Sequence, residues 1–255
     1  MKIVEVLGID VGGSAVKGAP VDTKGGSLLQ DRYRIATPIP VSPQQLAEHV
    51  NQIAQYFNWK GPIGVGFPAV VLNGVVKTAS NIDKSWIGTN AQQLFTKVTG
   101  CPTVVVNDAD AAGMAEMRFG EGQKIKGTVL LLTIGTGIGS ALFTNGKLVS
   151  NTEMGHVFLN NGLVAEKFAA DSVRQAEELD WEAWSERLNV YLTEMEKLFW
   201  PELIIIGGGV SKKPEKFLPA IHIKTPVVMA KQRNEAGIVG AAVAAKKQFK
   251  KVDIS

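Results

Sequence analysis

The pattern strand, glycine turn, strand occurs twice in this chain, and that recurrence restricts the fold more than any other feature. The first copy joins an apolar run, Ile3–Ile9, to a second, Ala15–Val21, through Gly12-Gly13. The second copy, TVLLLTIGTGIGSALFTNGKLV (128–149), passes through a Gly-Thr-Gly turn and closes on Asn145-Gly146, a dipeptide suited to the positive φ of a tight hairpin. Neither glycine turn opens a helix, so neither is a dinucleotide-binding turn; in the second, Ser140 also stands where that fingerprint needs its third glycine. Two related α/β halves facing each other across a cleft are the simplest architecture that uses the pattern twice.

The remaining periodicity fits such halves. SPQQLAEHVNQIAQYF (42–57) reads as a helix capped by Ser42, with Pro43 in its first turn and Leu46, Val50, Ile53 and Phe57 on one stripe. Ile63–Val65, Thr103–Val106 and Leu203–Ile206 read as buried strands. Asp180–Phe199 reads as a long amphipathic helix with Trp184, Leu188, Tyr191, Met195 and Leu198 on one face, ended by Pro201. Ala236–Phe249 reads as a last helix, apolar first and lysine-rich last, as the helix dipole favours. The expected division is a first domain over residues 1–107, with the helix of 236–255 folding back onto it, and a second over 108–235.

With 255 residues the chain can bury a substantial core. The opening MKIVEVLGID is too short and too acidic for a signal-peptide core, and no run of about 18 apolar residues predicts a membrane span. A single cysteine, Cys101, excludes an internal disulfide and a cysteine-built zinc site, and fits a reducing cytoplasm. A net charge of +3 is too small to point to nucleic acid, yet its distribution is uneven. Residues 151–200 hold ten Asp/Glu against four Lys/Arg, whereas residues 201–255 hold ten Lys/Arg against four Asp/Glu. A basic final quarter suits an anionic ligand, although a solvated tail at 246–251 accounts for part of it.

Several motifs carry chemistry. GIDVGGSAVKG (8–18) sets Asp10 at a strand end, followed by glycine amides able to face an anion and by Ser14 and Lys17; a carboxylate beside a phosphate needs a cation between them, so Asp10 is a candidate holder of Mg²⁺. The second turn, with Thr136 and Gly137, offers another nest of backbone N–H groups. Asn107-Asp108 ends an apolar strand where a helix begins: Asp108 is either a helix N-cap or a general base at a strand's C-terminal end, and position alone leaves both open. Glu153 and His156, spaced by three, with Glu166 following, suit hydrogen bonds to vicinal sugar hydroxyls better than a metal, although the spacing by itself reads more readily as a solvated turn. GGGVSKKPEKF (207–217) places Lys212, Lys213 and Lys216 directly after a glycine turn, where an adenine ring gains little from them; by themselves they read as a solvated loop.

Taken in order, DVGGSAVKG, VGFPAVV, SNIDKSW, NDADAAG, GTGIGSALF, TEMGH and GGGVS resemble the sugar kinases of the ROK family, within the hexokinase–actin–chaperone ATPase superfamily, over about residues 6–245. The resemblance implies a two-domain α/β fold of hexokinase/actin-like (ribonuclease H-like) type with an interdomain cleft, a homodimer, and Mg²⁺. It implies Asp108 as the base that deprotonates a sugar 6-hydroxyl; Asn81, Asn107, Glu153, His156 and Glu166 as sugar ligands; and Gly12, Gly13, Thr136 and Gly137 around the phosphoryl groups. The family's cysteine-rich zinc stretch is replaced here by NNGLVAE, which implies no zinc. GGGVSKKPEKF, NDADAAG, the DWEAW helix and TPVVMAKQRNEAGIVGAA resemble the branch of the family that phosphorylates glucose from inorganic polyphosphate. An ATP-dependent hexose kinase is the nearest alternative. A sugar-sensing repressor, the other kind of family member, is expected to need a DNA-binding module ahead of the first core strand.

Overall fold

The computed structural model describes residues 5–37, 40–80 and 82–252. The chain forms two compact units, Met1–Phe119 with Glu235–Ser255 and Gly120–Asn234. In the first, β1 (Glu5–Val11) turns into β2 (Ala15–Asp22), and β3 (Ser27–Leu28) and β4 (Tyr33–Ala36) both pair antiparallel with β2. Helix α1 (Pro43–Tyr56) starts in a reciprocal capping box: Gln45 N donates to Ser42 Oγ at 3.3 Å and Ser42 N donates to Gln45 Oε1 at 3.2 Å. Leu46, Val50 and Ile53 are fully buried, each contributing about 1.5–3 kcal/mol of apolar transfer. Then come β5 (Ile63–Phe67), a small hairpin of β6 (Val71–Leu72) and β7 (Val75–Val76), α2 (Ala91–Thr99), β8 (Thr103–Asn107) and α3 (Asp108–Phe119). Strands β5 and β8 extend the sheet in parallel, giving the order β3-β2-β1-β5-β8.

The second unit repeats this plan. Strands β9 (Thr128–Ile134), β10 (Ile138–Thr144) and β11 (Lys147–Val149) form an antiparallel meander. After α4 (Glu166–Ala169), α5 (Asp171–Ala176) and α6 (Trp181–Phe199), strands β12 (Leu203–Gly208) and β13 (Val227–Met229) add in parallel, in the order β11-β10-β9-β12-β13. Each sheet therefore runs antiparallel, antiparallel, parallel, parallel from one edge, the internal repeat expected from the two glycine turns. Helix α6 is capped by Asp180, which accepts from Ala183 N at 2.8 Å, and buries Trp184, Leu188, Tyr191 and Met195. Leu198 departs from the expected stripe: it is 54% exposed, and Phe199, four residues after Met195, packs on the core instead. At 3.6 residues per turn the stripe drifts, and the fourth residue continues it here where the third does not.

Helix α7 (Ala236–Val252) returns to the first unit, where its backbone lies directly on its neighbours. A Cβ added at Gly8 of β1 would land on the Ile238 carbonyl, at Gly64 of β5 on that of Ala241, and at Gly240 of α7 on that of Ala111 in α3. Because α3 packs on α7, the chain leaves the first unit after Phe119 and not at residue 107. Lys246 is only 7% exposed and its Nζ donates to Thr23 O at 3.1 Å, so it does not belong to a solvated tail. Among the described residues no helix is long and apolar enough to cross a membrane.

An exposed helical Gly→Ala change gains up to about 1 kcal/mol. Gly240→Ala is expected to lose about 1–3 kcal/mol, because the new methyl meets backbone that cannot move aside. Urea unfolding checks this, and a gain in stability would contradict the packing described.

Candidate functional site

In the first unit, three parallel strands end side by side. Asp10 of β1 is in register with Gly66 of β5, and the next pair along, Phe67 and Asn107, brings in the end of β8. Two strand spacings, about 10 Å, separate β1 from β8. Asp10 lies across the hairpin from Lys17, whose Nζ is 3.9 Å from Oδ2. Burial raises the Asp10 carboxyl above the ordinary carboxylate range, opposed by Lys17 and Arg32. A Cβ at Gly237 would meet Asp10 Oδ1 at 2.6 Å, so glycine is what leaves this carboxylate its room. In the β1–β2 turn, Gly12 N donates to Ala15 O at 3.0 Å and Ser14 O accepts from Thr37 N at 3.1 Å. The amides of Gly13 and Ser14 find no acceptor among the described residues.

At the end of β8 the helix cap is Asn107 and not Asp108. Asn107 Oδ1 accepts from Asp110 N at 3.0 Å while its Nδ2 donates to Ala69 O at 3.2 Å. Both atoms of a buried side chain thus brace the start of α3. Asp108 is the first helical residue, half-buried, with Oδ1 accepting from Ala109 N at 2.8 Å. Its carboxylate is not needed to cap the helix. Asn107 keeps one amide hydrogen for a ligand, fewer than its sequence position alone suggests.

In the second unit, the turn Gly135-Thr136-Gly137 has every carbonyl occupied. Gly135 O accepts from Ser172 N at 3.1 Å, Thr136 O from Ser172 Oγ at 2.6 Å, and Gly137 O from Gly135 N at 3.0 Å. The amides of Thr136 and Gly137 have no acceptor among the described residues. Such a turn presents hydrogen-bond donors only, which is what an anion requires. A Cβ at Gly137 would lie 2.7 Å from Glu166 Oε2, so the turn and the Glu166 carboxylate adjoin.

Glu153, His156 and Glu166 come together as one cluster. His156 Nδ1 is 3.9 Å from Glu153 Oε2, and Nε2 is 3.8 Å from Glu166 Oε1, beside which Lys167 Nζ lies at 3.6 Å. Two features hold the Glu153–His156 segment on β10. A Cβ at Gly155 would land on the Ile138 carbonyl, and Ser140 Oγ donates to Thr152 O at 2.7 Å while accepting from Met154 N at 2.9 Å. Ser140 therefore aims this cluster, and Ser172 closes off the carbonyls of the turn; sequence reasoning read neither role. The only signal was Ser140 in place of a third glycine.

The β12 turn lies beside the same region: a Cβ at Gly135 would lie 4.0 Å from Gly209 N. Gly208, at φ +80°, lies so close to Ile134 that a side chain there would overlap its backbone. Lys212, Lys213 and Lys216 follow, exposed and without an ion pair among the described residues. Phe217, fully buried, anchors them, edge-on to Trp184 at 5.5 Å and stacked with Trp181 at 6.4 Å. Asn81, the remaining candidate sugar ligand, lies outside the described residues. Among the described residues no three His, Cys, Asp or Glu side chains are grouped to hold a metal ion by themselves.

A profile described as the ROK family matches residues 6–170. A polyphosphate glucokinase of Mycobacterium tuberculosis is 47% identical over 239 residues, spanning 93% of this chain and 90% of that protein. The inorganic polyphosphate/ATP-glucomannokinase of Arthrobacter sp. strain KM superposes with a TM-score of 0.92 at 45% identity, over 96% of this chain and 99% of that one. A ROK family glucokinase from Streptomyces griseus, at 24% identity over 95% and 99% of the two chains, shares the fold with a TM-score of 0.80.

Glu153 carries a cost that is measurable without any ligand. Burial raises its carboxyl pKa, His156 opposes the shift, and Glu166 adds to it. A carboxyl whose folded pKa exceeds its unfolded value holds its proton more tightly when folded. Stability is then fully present below the ordinary glutamate range and falls as pH rises through the raised value. Glu153→Gln should therefore raise Tm at pH 7, with the difference from the parent shrinking below about pH 4. A lower Tm at pH 7 would show that the carboxylate stabilises the fold.

Proposed function

The chain belongs to the ROK family, and on that premise we propose that it is a polyphosphate-dependent glucokinase, transferring the terminal phosphoryl of inorganic polyphosphate to the 6-hydroxyl of glucose. The observation that carries this reading is the second-unit turn, whose carbonyls are all occupied and whose amides are open, with three exposed lysines following the neighbouring β12 turn. Polyphosphate has one charge per residue and no aromatic face, so open amides and cations are what it can use. The high identity to polyphosphate glucokinases supports the same reading.

Each residue then has a task. Glu153, His156 and Glu166 hold the sugar hydroxyls, with Asn81 and the remaining amide hydrogen of Asn107. Asp108 accepts the 6-hydroxyl proton as that oxygen attacks the terminal phosphorus; the bond from this phosphorus to the bridging oxygen breaks, and the shortened polyphosphate leaves with the electron pair. The open amides of Thr136 and Gly137 donate to phosphate oxygens of the donor, and the family resemblance gives Gly12, Gly13, Ser14 and Lys17 a like role, the Lys17 ammonium offsetting negative charge. Lys212, Lys213 and Lys216 attract the rest of the chain at a range set by salt screening, about 8–10 Å. Asp10 fits a Mg²⁺ site: one hard oxygen donor, 20% exposed, in a place where burial disfavours its lone charge. Asp10 would hold the ion, which would supply charge neutralisation for the phosphoryl groups. We further infer a homodimer, following the family resemblance, without zinc, because NNGLVAE replaces the family's cysteine-rich stretch, and in the reducing cytoplasm that the single Cys101 fits.

Glucose 6-phosphate formation from purified polyphosphate against purified ATP tests the reading. Polyphosphate should give the higher kcat/KM; turnover with ATP alone would sink the donor assignment. Asp108→Asn should fold normally, since Asn107 supplies the cap, and lose at least about 10²-fold in kcat. A near-normal rate in that variant would remove Asp108 as the base.

A further inference from the structure

Ser172 lies 36 residues from the glycine turn in sequence, yet it makes two of the three hydrogen bonds that occupy the turn's carbonyls. Its backbone N–H takes Gly135 O at 3.1 Å and its hydroxyl takes Thr136 O at 2.6 Å. Peptide units are planar and trans, so the C=O of one residue and the N–H of the next point in opposite directions. Directing Gly135 O at Ser172 therefore aims the Thr136 N–H the other way, and directing Thr136 O at Ser172 does the same for the Gly137 N–H. These are the two amides without an acceptor among the described residues.

The support beneath Ser172 is firm. Helix α5 has no side-chain cap at Ala170, and Gly135 O satisfies one of its otherwise orphaned first-turn N–H groups. Asp171 accepts from Arg174 Nε at 2.7 Å and from Gln175 Nε2 at 2.6 Å. The Arg174 guanidinium sits 4.2 Å over the Trp181 ring, tying α5 to α6. A glycine turn is otherwise free to flip its peptides and present carbonyls, which would repel a phosphate.

We propose that Ser172 is a positioning residue for the phosphoryl donor, holding the Gly135 and Thr136 peptides in the one orientation that presents both open amides to phosphate oxygens. This rests on the reading of that turn as the donor's phosphate site. Ser172→Ala keeps the backbone bond and removes the hydroxyl bond, releasing the 136–137 peptide. Binding of tripolyphosphate and of glucose, each measured alone by calorimetry, separates this role from a merely structural one.

Ser172→Ala should weaken tripolyphosphate about tenfold, the worth of one hydrogen bond, and leave the glucose Kd within about twofold. Ser172→Thr, which keeps the hydroxyl, should restore it. Should the alanine variant fail to fold, Ser172→Cys, a weak donor, set against Ser172→Thr carries the same contrast. Unchanged tripolyphosphate affinity, or equal loss toward both ligands, overturns the proposal. If the parent protein binds glucose and no tripolyphosphate, the donor-site reading itself falls, and that is seen before any variant is made.

Discussion

The first unit depends on backbone lying against backbone. Helix α7 approaches β1 at Gly8, β5 at Gly64 and α3 at Ala111, each so closely that no Cβ fits. Interiors packed at crystal density transmit such contacts with little slack. The same helix passes Asp10 at Gly237, and a Cβ at Gly66 of β5 would be in ordinary contact with both the Asp108 Cα and the Gly237 carbonyl. The room left for the Asp10 carboxylate thus depends on a glycine more than two hundred residues later in the chain. In the second unit Gly155 on Ile138 and Gly208 on Ile134 have the same use, bringing the sugar cluster and the lysine segment against the meander.

Polar satisfaction decides what the turns bind. At the second turn the carbonyls are consumed inside the protein and the amides are left over, and the first turn shows the same bias at Gly13 and Ser14. Open donors near a surface cost little in water and become strong once an anion displaces that water. The carboxylates show the converse. Asp10 and Glu153 are held where burial penalises their charge, the usual trade of stability for function at a site.

Much of this was legible in the sequence because it is local. The capping box at Ser42, the two strand–turn–strand units and the end of β8 all follow from spacing of a few residues. The family resemblance supplied the grouping of Glu153, His156 and Glu166, which spacing alone left as a solvated turn. Other features depend on distant partners. Asn107 takes the cap that Asp108 seemed equally suited to, because Ala69 O holds its amide. Lys246 is buried because Thr23 O meets it from more than 200 residues away, and no charge pattern within the last helix could indicate that. The roles of Ser140 and Ser172 lie 12 and 36 residues from their partners and leave no motif.

The central claim is that the two open backbone amides of the second glycine turn, Thr136 and Gly137, bind the phosphate chain. Amide resonances of the ¹⁵N-labelled protein, followed as tripolyphosphate is added with glucose absent, test it most directly. The account predicts that Thr136 and Gly137 shift downfield together and saturate with one affinity, while Gly146, in the hairpin turn at the other end of β10, stays still. If these two amides hold their positions while tripolyphosphate binds, the phosphate chain lies elsewhere and the account of this turn is wrong.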